Sequence, residues 1–323
     1  SGTIEDTVTD QKQDVFGDLV SDLLRTTTFT DNSGGSTTAI GVGVSDNDVT
    51  NTVQSYIDQS YLTATLDVTL HAESVMEIYT AGIAGAITVV TRSQSDELED
   101  ITEGGLANDR DNGEAFVRDT TTVDQRNSQT TIAGAGAGTG NYIDNQVVSY
   151  VTGQSLVEST AGSVALFAKD ASHIIGDAGG VGVSAAIGGT TGTSKSFAVG
   201  AAIAVNEIGN RDGHSVESYI EDSEVQAADD VTLEAVSSAV IESFTIGGAF
   251  SAVFGQSGGL AGSGAGAGSY NTIETTTEAS IHTSSDVTAA NGDVVVVAQD
   301  TSEVTAEAGG YAVAIAIAKK GAT

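Results

Sequence analysis

The sequence predicts an all-β protein, a parallel β-solenoid closed at its N-terminal end by a helix. Three observations predict it. One pattern of alternating residues occurs four times, no segment of helical period separates the strands, and the 323 residues include 40 glycines but no proline. Average usage of about 5% would give roughly sixteen prolines. A residue that cannot donate to a ladder hydrogen bond has reason to be excluded from a chain that is nearly all sheet.

The pattern reads YLTATLDVTLHA (Tyr61–Ala72), LVESTAGSVALFA (Leu156–Ala168), VQAADDVTLEA (Val225–Ala235) and VTAANGDVVVVA (Val287–Ala298). Its equivalent valines, Val68, Val164, Val231 and Val294, lie 96, 67 and 63 residues apart. The flanks repeat with it. Upstream come SYID (Ser55–Asp58), SYVT (Ser149–Thr152), SYIE (Ser218–Glu221) and ASIH (Ala279–His282). Further upstream are strands of small residues: AIGVGV (Ala39–Val44), IAGAGAG (Ile132–Gly138), AVGAAIAV (Ala198–Val205) and LAGSGAGAG (Leu260–Gly268). Downstream, AGGVGVSAAI (Ala178–Ile187), IGGAFSAVF (Ile246–Phe254) and AGGYAVAIAIA (Ala308–Ala318) close the unit.

Alternation at period 2 places Val, Ile, Leu and Ala on one face and Thr, Ser, Glu and Gln on the other. Without helices between the strands, wound βαβ folds are excluded. A β-sandwich has no reason to repeat its sequence, whereas a solenoid stacks like strands into ladders. At roughly 20–22 residues per coil, each unit would hold three coils. The whole would be about a dozen coils, ~55–60 Å long at ~4.8 Å per coil. The alanine–glycine strands mark a wall with no space for large side chains. A narrow internal wall is favoured over pressure from a neighbouring chain.

Residues 36–323 form the solenoid, and 1–35 precede it. Within the first segment, Val15, Phe16, Leu19, Val20, Leu23 and Leu24 share one helical face. Such a helix would cover the first coil, whose backbone groups and core are otherwise open. The polar insertion at 92–129 breaks the repeat and reads as an excursion from the solenoid wall. In it, NDRDNGEAFVRD puts Asn108, Asn112 and Asp119 at ligand positions of a calcium loop, with Gly113 at the sixth. Arg110 stands where the third ligand belongs and Asp119 replaces the usual Glu, so an acidic turn is preferred to a Ca2+ site.

With 44 acidic against 11 basic residues, the net charge is -33. That argues against nucleic acid and anionic membranes, which need a positive face. No run of eighteen apolar residues is present for a membrane span. Cysteine is absent, which removes disulfides, thiol nucleophiles and thiolate metal sites. His71, His173, His214 and His282 have no Asp-His-Ser company at a telling spacing. GAGAGTG (Gly134–Gly140) lacks the helix and lysine of a nucleotide loop. No catalytic residue is expected. The chain begins SGTIED, with neither Met nor signal peptide, the start expected of a processed or excised region.

Ser223–Ala235 and Ser285–Ala298, with their S-x-V-x-A…DV-x-L/V-x-A pattern, resemble the repeats of filamentous-haemagglutinin-like and other giant bacterial adhesins. The resemblance covers 36–323 outside the insertion. It implies a right-handed parallel β-helix on the bacterial cell surface, an extracellular filament or adhesin whose partner would be a receptor on a host or neighbouring cell. The alternative is a polysaccharide-active or carbohydrate-binding β-helix, for which the absence of Trp leaves few stacking platforms.

The last apolar strand, GGYAVAIAIAKKGAT, places Tyr311, Val313, Ile315 and Ile317 on one face. An uncovered terminal coil offers unpaired N–H and C=O groups to a matching edge. Self-association head to tail, or continuation into a larger solenoid, is the expected partnership. Lys319 and Lys320 then act as edge blockers or as electrostatic partners of an acidic neighbour.

Overall fold

Val68, Val164, Val231 and Val294 pair with one another in one parallel ladder. Each sequence unit is therefore a single coil, not three. The structure, a computed structural model, describes residues 36–91, 114–122, 129–188, 193–209, 213–255, 258–282 and 284–319. At about 4.8 Å per step the described stack spans about 15 Å from first coil to last, not the length expected of a dozen coils. The expected N-terminal helix falls outside the described residues.

The first coil comprises β1 (Ser36–Asp58), β2 (Tyr61–Ala64), β3 (Val68–Ser74) and β4 (Glu77–Thr91). Part of the insertion forms β5 (Glu114–Thr122), which pairs in parallel with β4 at the rim of the stack. That portion of 92–129 rejoins the wall instead of leaving it. The second coil comprises β6 (Gln129–Thr152), β7 (Leu156–Ser159), β8 (Val164–Asp170) and β9 (His173–Ile187). In the third, the long first strand is divided into β10 (Ser194–Ile208) and β11 (Ser215–Glu221). β12 (Glu224–Ala227), β13 (Val231–Ser237) and β14 (Val240–Gly255) complete it. The fourth repeats the division: β15 (Gly259–Ile273), β16 (Thr276–His282), β17 (Asp286–Ala289), β18 (Val294–Asp300) and β19 (Glu303–Ala318). Every pairing is parallel and in register, giving four stacked sheets.

The corner after the long strand is the same in every coil. Gln59, Gln154, Asp222 and Ser284 all take positive φ there, and a serine follows one residue on. Ser60, Ser155, Ser223 and Ser285 each turn a hydroxyl back onto a carbonyl of the preceding strand. Ser155 and Ser223 also accept a backbone N–H from the coil below. The serine of the recurring motif thus fastens both the corner and its neighbour.

In cross-section each coil has a thick body and a thin wing. The body is filled by Val151, Val157, Val164, Leu166, Ile220, Val225, Val231 and Leu233, with Ile143, Ile174, Ile208 and Ile241 nearer the neck. The first half of β6 and the second half of β9 form the wing, as do their counterparts in each coil. There the inward residues are Ala133, Ala135, Ala137, Ala178, Ala202 and Ala204. The walls approach until backbone meets backbone. A Cβ added to Gly200 would fall on the carbonyl oxygen of Gly248, and one at Gly180 on that of Ala201. The narrow internal wall expected from the small-residue strands is this wing. Its consequence corrects which face of the alternation holds the large apolar residues. The interior of the wing is filled by glycine, alanine, serine and threonine, with Val90 and Val253 the larger apolar residues buried there, and the remaining large apolar residues of the wing strands lie on the outside.

Candidate assembly surfaces

Among the described residues, the fourth coil is the last of the stack. Strands β15 to β19 are terminal in their sheets, with neighbours on one side only. In β18 the core-facing Val294 and Val296 are 44% and 43% exposed, whereas their ladder partners Val231 and Leu233 are fully buried. The two ends differ, since in the first coil Val68 and Leu70 are buried. Tyr311, Val313, Ile315 and Ile317 lie together on β19 and all four are exposed. They continue an apolar outer face of the wing across coils, because β19 lies beside β14, with Val313 next to Phe250 and Ile317 next to Phe254. Lys319 extends the ladder, its N–H donating to the Gly255 carbonyl. Lys320 lies outside the described residues.

The opposite outer face of the wing carries Ile40, Val42, Val44, Val199 and Ile203, all exposed. Both broad surfaces of the wing are therefore apolar, while the interior holds polar groups in ladders. Across the neck, Asn47 donates from Nδ2 to Oδ1 of Asn141 at 2.9 Å, Asn141 to Asn206 at 2.7 Å, and Asn206 to Asn271 at 2.8 Å. Gly176 on the facing strand leaves the space these amides fill. In the wing a chain of hydroxyls runs from Ser184 to Thr131 at 2.7 Å, with Ser196 donating to Ser184 at 2.9 Å and Ser251 to Ser196 at 3.0 Å. Each satisfied ladder removes the cost of a buried polar group. It also fixes one register, since a one-residue slip would break every rung.

Among the histidines, His214 does acquire acidic and hydroxyl company. Asp170, fully buried, accepts from Asn145 Nδ2 at 3.1 Å, Ser172 Oγ at 2.9 Å, the Ser172 N–H at 3.1 Å and His214 Nε2 at 3.2 Å. Burial alone would push the Asp170 carboxyl up, but these donors, His214 foremost, hold it below the usual carboxylate range. His214 Nδ1 accepts the Asn145 backbone N–H at 3.1 Å, so both ring nitrogens are engaged. Both side chains of the pair are 0% exposed. The group closes a gap in the third coil, where His214 occupies the row held by Asn145 one coil below. It has the residue types of a hydrolytic triad without an approach for substrate. Sequence proximity could not reveal it, because the pair is 44 residues apart; aligning the units would have.

On the body's surface the repeated SY motif builds a stack. Tyr56, Tyr150 and Tyr219 lie ring over ring at 5.1 Å, and Tyr219 meets His282 at 5.7 Å. Burial, reinforced by the neighbouring phenol and carboxylates, raises the Tyr150 and Tyr219 phenols above their ordinary value. Stacked rings present edges, not faces, so they make a poor platform for a sugar ring. A shallow cleft beside them is lined by Glu217, Tyr219, Glu221, Glu278, Ser280 and His282. His71, His173 and His282 each sit near one exposed or half-buried glutamate.

Asn108 and Asn112 lie outside the described residues, and Asp119 is in β5, paired with Thr88 of β4. Among the described residues no three His, Asp or Glu side chains converge as a metal site, and no helix is long and apolar enough to cross a membrane. No protein-family model matches this chain, and no curated protein or solved structure matches it.

Proposed function

We propose that the chain is a structural and adhesive β-solenoid element of an extracellular, bacterial cell-surface fibre, with no catalysis of its own. One observation carries the reading: four in-register coils end in a coil whose core valines are open and whose strand edges have no partner among the described residues. A further coil, from a second copy or from continuing chain, would complete both the core and the ladders. The acidic surface suits such a role, since net repulsion keeps the sides soluble while the edge supplies a directional contact. The resemblance of Ser223–Ala235 and Ser285–Ala298 to giant-adhesin repeats supports the location and the adhesive task.

Electron microscopy of the full chain at rising concentration, with and without calcium, tests this. Rods that lengthen with concentration are expected; monodisperse single particles throughout would overturn it.

A second reading has its own observation, the cleft beside Tyr219 lined by Glu217, Glu221, Glu278 and His282. On it the chain binds or cleaves a polysaccharide there. Product release from polysaccharides that disappears in Glu217→Gln and Glu221→Gln would favour this reading over the first.

A further inference from the structure

The apolar wing face formed by the first strand of each coil is corrugated. Three rows of residues run across the four coils there. The first is Ile40, Gly134, Val199, Gly264; the second Val42, Gly136, Ala201, Gly266; the third Val44, Gly138, Ile203, Gly268. The first and third coils raise ridges, with Ile40 at 47%, Val44 at 52%, Val199 at 54% and Ile203 at 60% exposure. Within these rows the second and fourth coils are bare backbone between them; the next row away from the neck holds Thr38, Ile132, Phe197 and Gly262. The glycines of the three rows are not required by this chain's own packing. A Cβ built on Gly134, Gly136, Gly264, Gly266 or Gly268 meets nothing within 4 Å. This is the reverse of the inner wall, where Gly200 is hemmed in by carbonyls.

We propose that a second copy of the chain packs on this face with its coil order reversed. A two-fold axis lying along the strands places coil one over coil four and coil two over coil three. That operation keeps each residue in its own row and exchanges ridge coils for groove coils. Ile40 then faces Gly264 of the second copy, Val42 faces Gly266, Val44 faces Gly268, Val199 faces Gly134 and Ile203 faces Gly138. Each contact occurs twice, as an isologous interface demands. Coils facing their own number would set ridge against ridge.

The three rows contain no charged residue, so the centre of the contact desolvates no ion. The next row toward the neck carries Asp46 on coil one and Tyr270 on coil four, so the reversed pairing sets carboxylate against phenol, not against carboxylate. Four coils about 4.8 Å apart and strands of about nine residues give a face near 600 Å² per copy. The pair would bury roughly 1,200 Å², within the range of specific interfaces. This contact is lateral and goes beyond the end-to-end reading above. One widens the particle and the other lengthens it.

Because the chain has no cysteine, cross-linking is a clean test. Val42 and Gly266 are three coils apart in one copy, about 14 Å, too far for a disulfide. The double variant Val42→Cys/Gly266→Cys should give, on mild oxidation, a covalent dimer closed by two disulfides with no free thiol, whereas end-to-end stacking, which also sets coil four beside coil one, would give an open ladder of trimers and longer species; Val42→Cys alone should give neither. Sedimentation of the unmodified chain should show a dimer that strengthens with salt, as screening weakens the repulsion between two strongly acidic copies. Filling the grooves with Gly136→Val and Gly266→Val should lower association at least tenfold while leaving the far-UV spectrum and any lengthening of rods unchanged. Cross-linking through Val42→Cys alone, association that survives groove filling, or a monomer at every concentration and salt would each overturn the proposal. Rods that never lengthen while the dimer forms would count against the fibre reading alone.

Discussion

Along β6, Val147 and Val151 point into the body and are fully buried, while Ala133, Ala135 and Ala137 point into the wing and Ile132 stands in solvent. One strand thus runs from a region that hides its large side chains to one that displays them. The alternation never breaks; what changes is the distance to the opposite wall. In the body the walls are held apart by Leu166 and Leu233, and the hydrophobic effect acts in its usual sense. In the wing they close until little beyond glycine, alanine, serine and threonine fits, and cohesion comes from close backbone contact and hydroxyl ladders. The lesson is that alternation specifies two faces, and the facing wall decides which is inside.

The largest break in that comparison should come from Gly200→Val. Both obstacles to the new side chain, the Gly248 and Gly180 carbonyls, are backbone and cannot change rotamer. A loss above about 4 kcal/mol is expected, beyond ordinary overpacking, as misfolding or a collapsed urea midpoint. Gly136→Val, on the outer side of the same wing, should be neutral within about 0.5 kcal/mol. Equal effects at the two positions would show that the walls do not touch.

Leu233→Ala comes next, a fully buried body residue whose truncation should cost about 2–5 kcal/mol. Breaking the neck ladder with Asn141→Leu should cost about 1–3 kcal/mol, because Asn47, Asn206 and Thr80 would each lose a partner. Equilibrium urea unfolding checks both.

A smaller, pH-gated effect belongs to Asp170. Its carboxyl titrates lower in the folded chain than in the unfolded one, so it contributes stability above the ordinary aspartate range. That contribution fades as pH falls below about 4 and through the depressed folded value. Thermal melts from pH 5 downward should show a steeper decline for the wild type than for Asp170→Asn. The smallest effect is expected at Ile203→Thr, which is 60% exposed in the single chain and, at dilutions where copies do not pair, should shift stability by no more than about 0.5 kcal/mol.

Much of this was legible in the sequence, and the rest was hidden for definite reasons. The ladder of Val68, Val164, Val231 and Val294 followed from spacing alone. Coil length did not, because the shared corner uses Gln59, Gln154, Asp222 and Ser284 at positive φ, and none of these is a glycine that would flag it. The small-residue strands revealed a narrow wall, but Ile40-Gly41-Val42 reads the same whichever side is buried. Tyr311, Val313, Ile315 and Ile317 were recognisable as one exposed face. The ridges and grooves of the other face were not, since they exist only once register sets Ile40 beside Gly134 and Val199 beside Gly264. The asparagine ladder has a signal of its own in the sequence: Asn141, Asn206 and Asn271 recur every 65 residues.

The single-coil repeat has a mechanical consequence. A chain that uses some 63–67 residues for each step of about 4.8 Å is an uneconomical way to gain reach, and a good way to gain breadth. Its cross-section is a paddle, stout along one margin and two backbones thick along the other. Such a beam flexes readily across its flat side and resists bending in its own plane. Tension along the axis is met at each junction by the hydrogen bonds of a whole coil at once, so a pull should yield in abrupt steps of one coil, each releasing a long tether of chain.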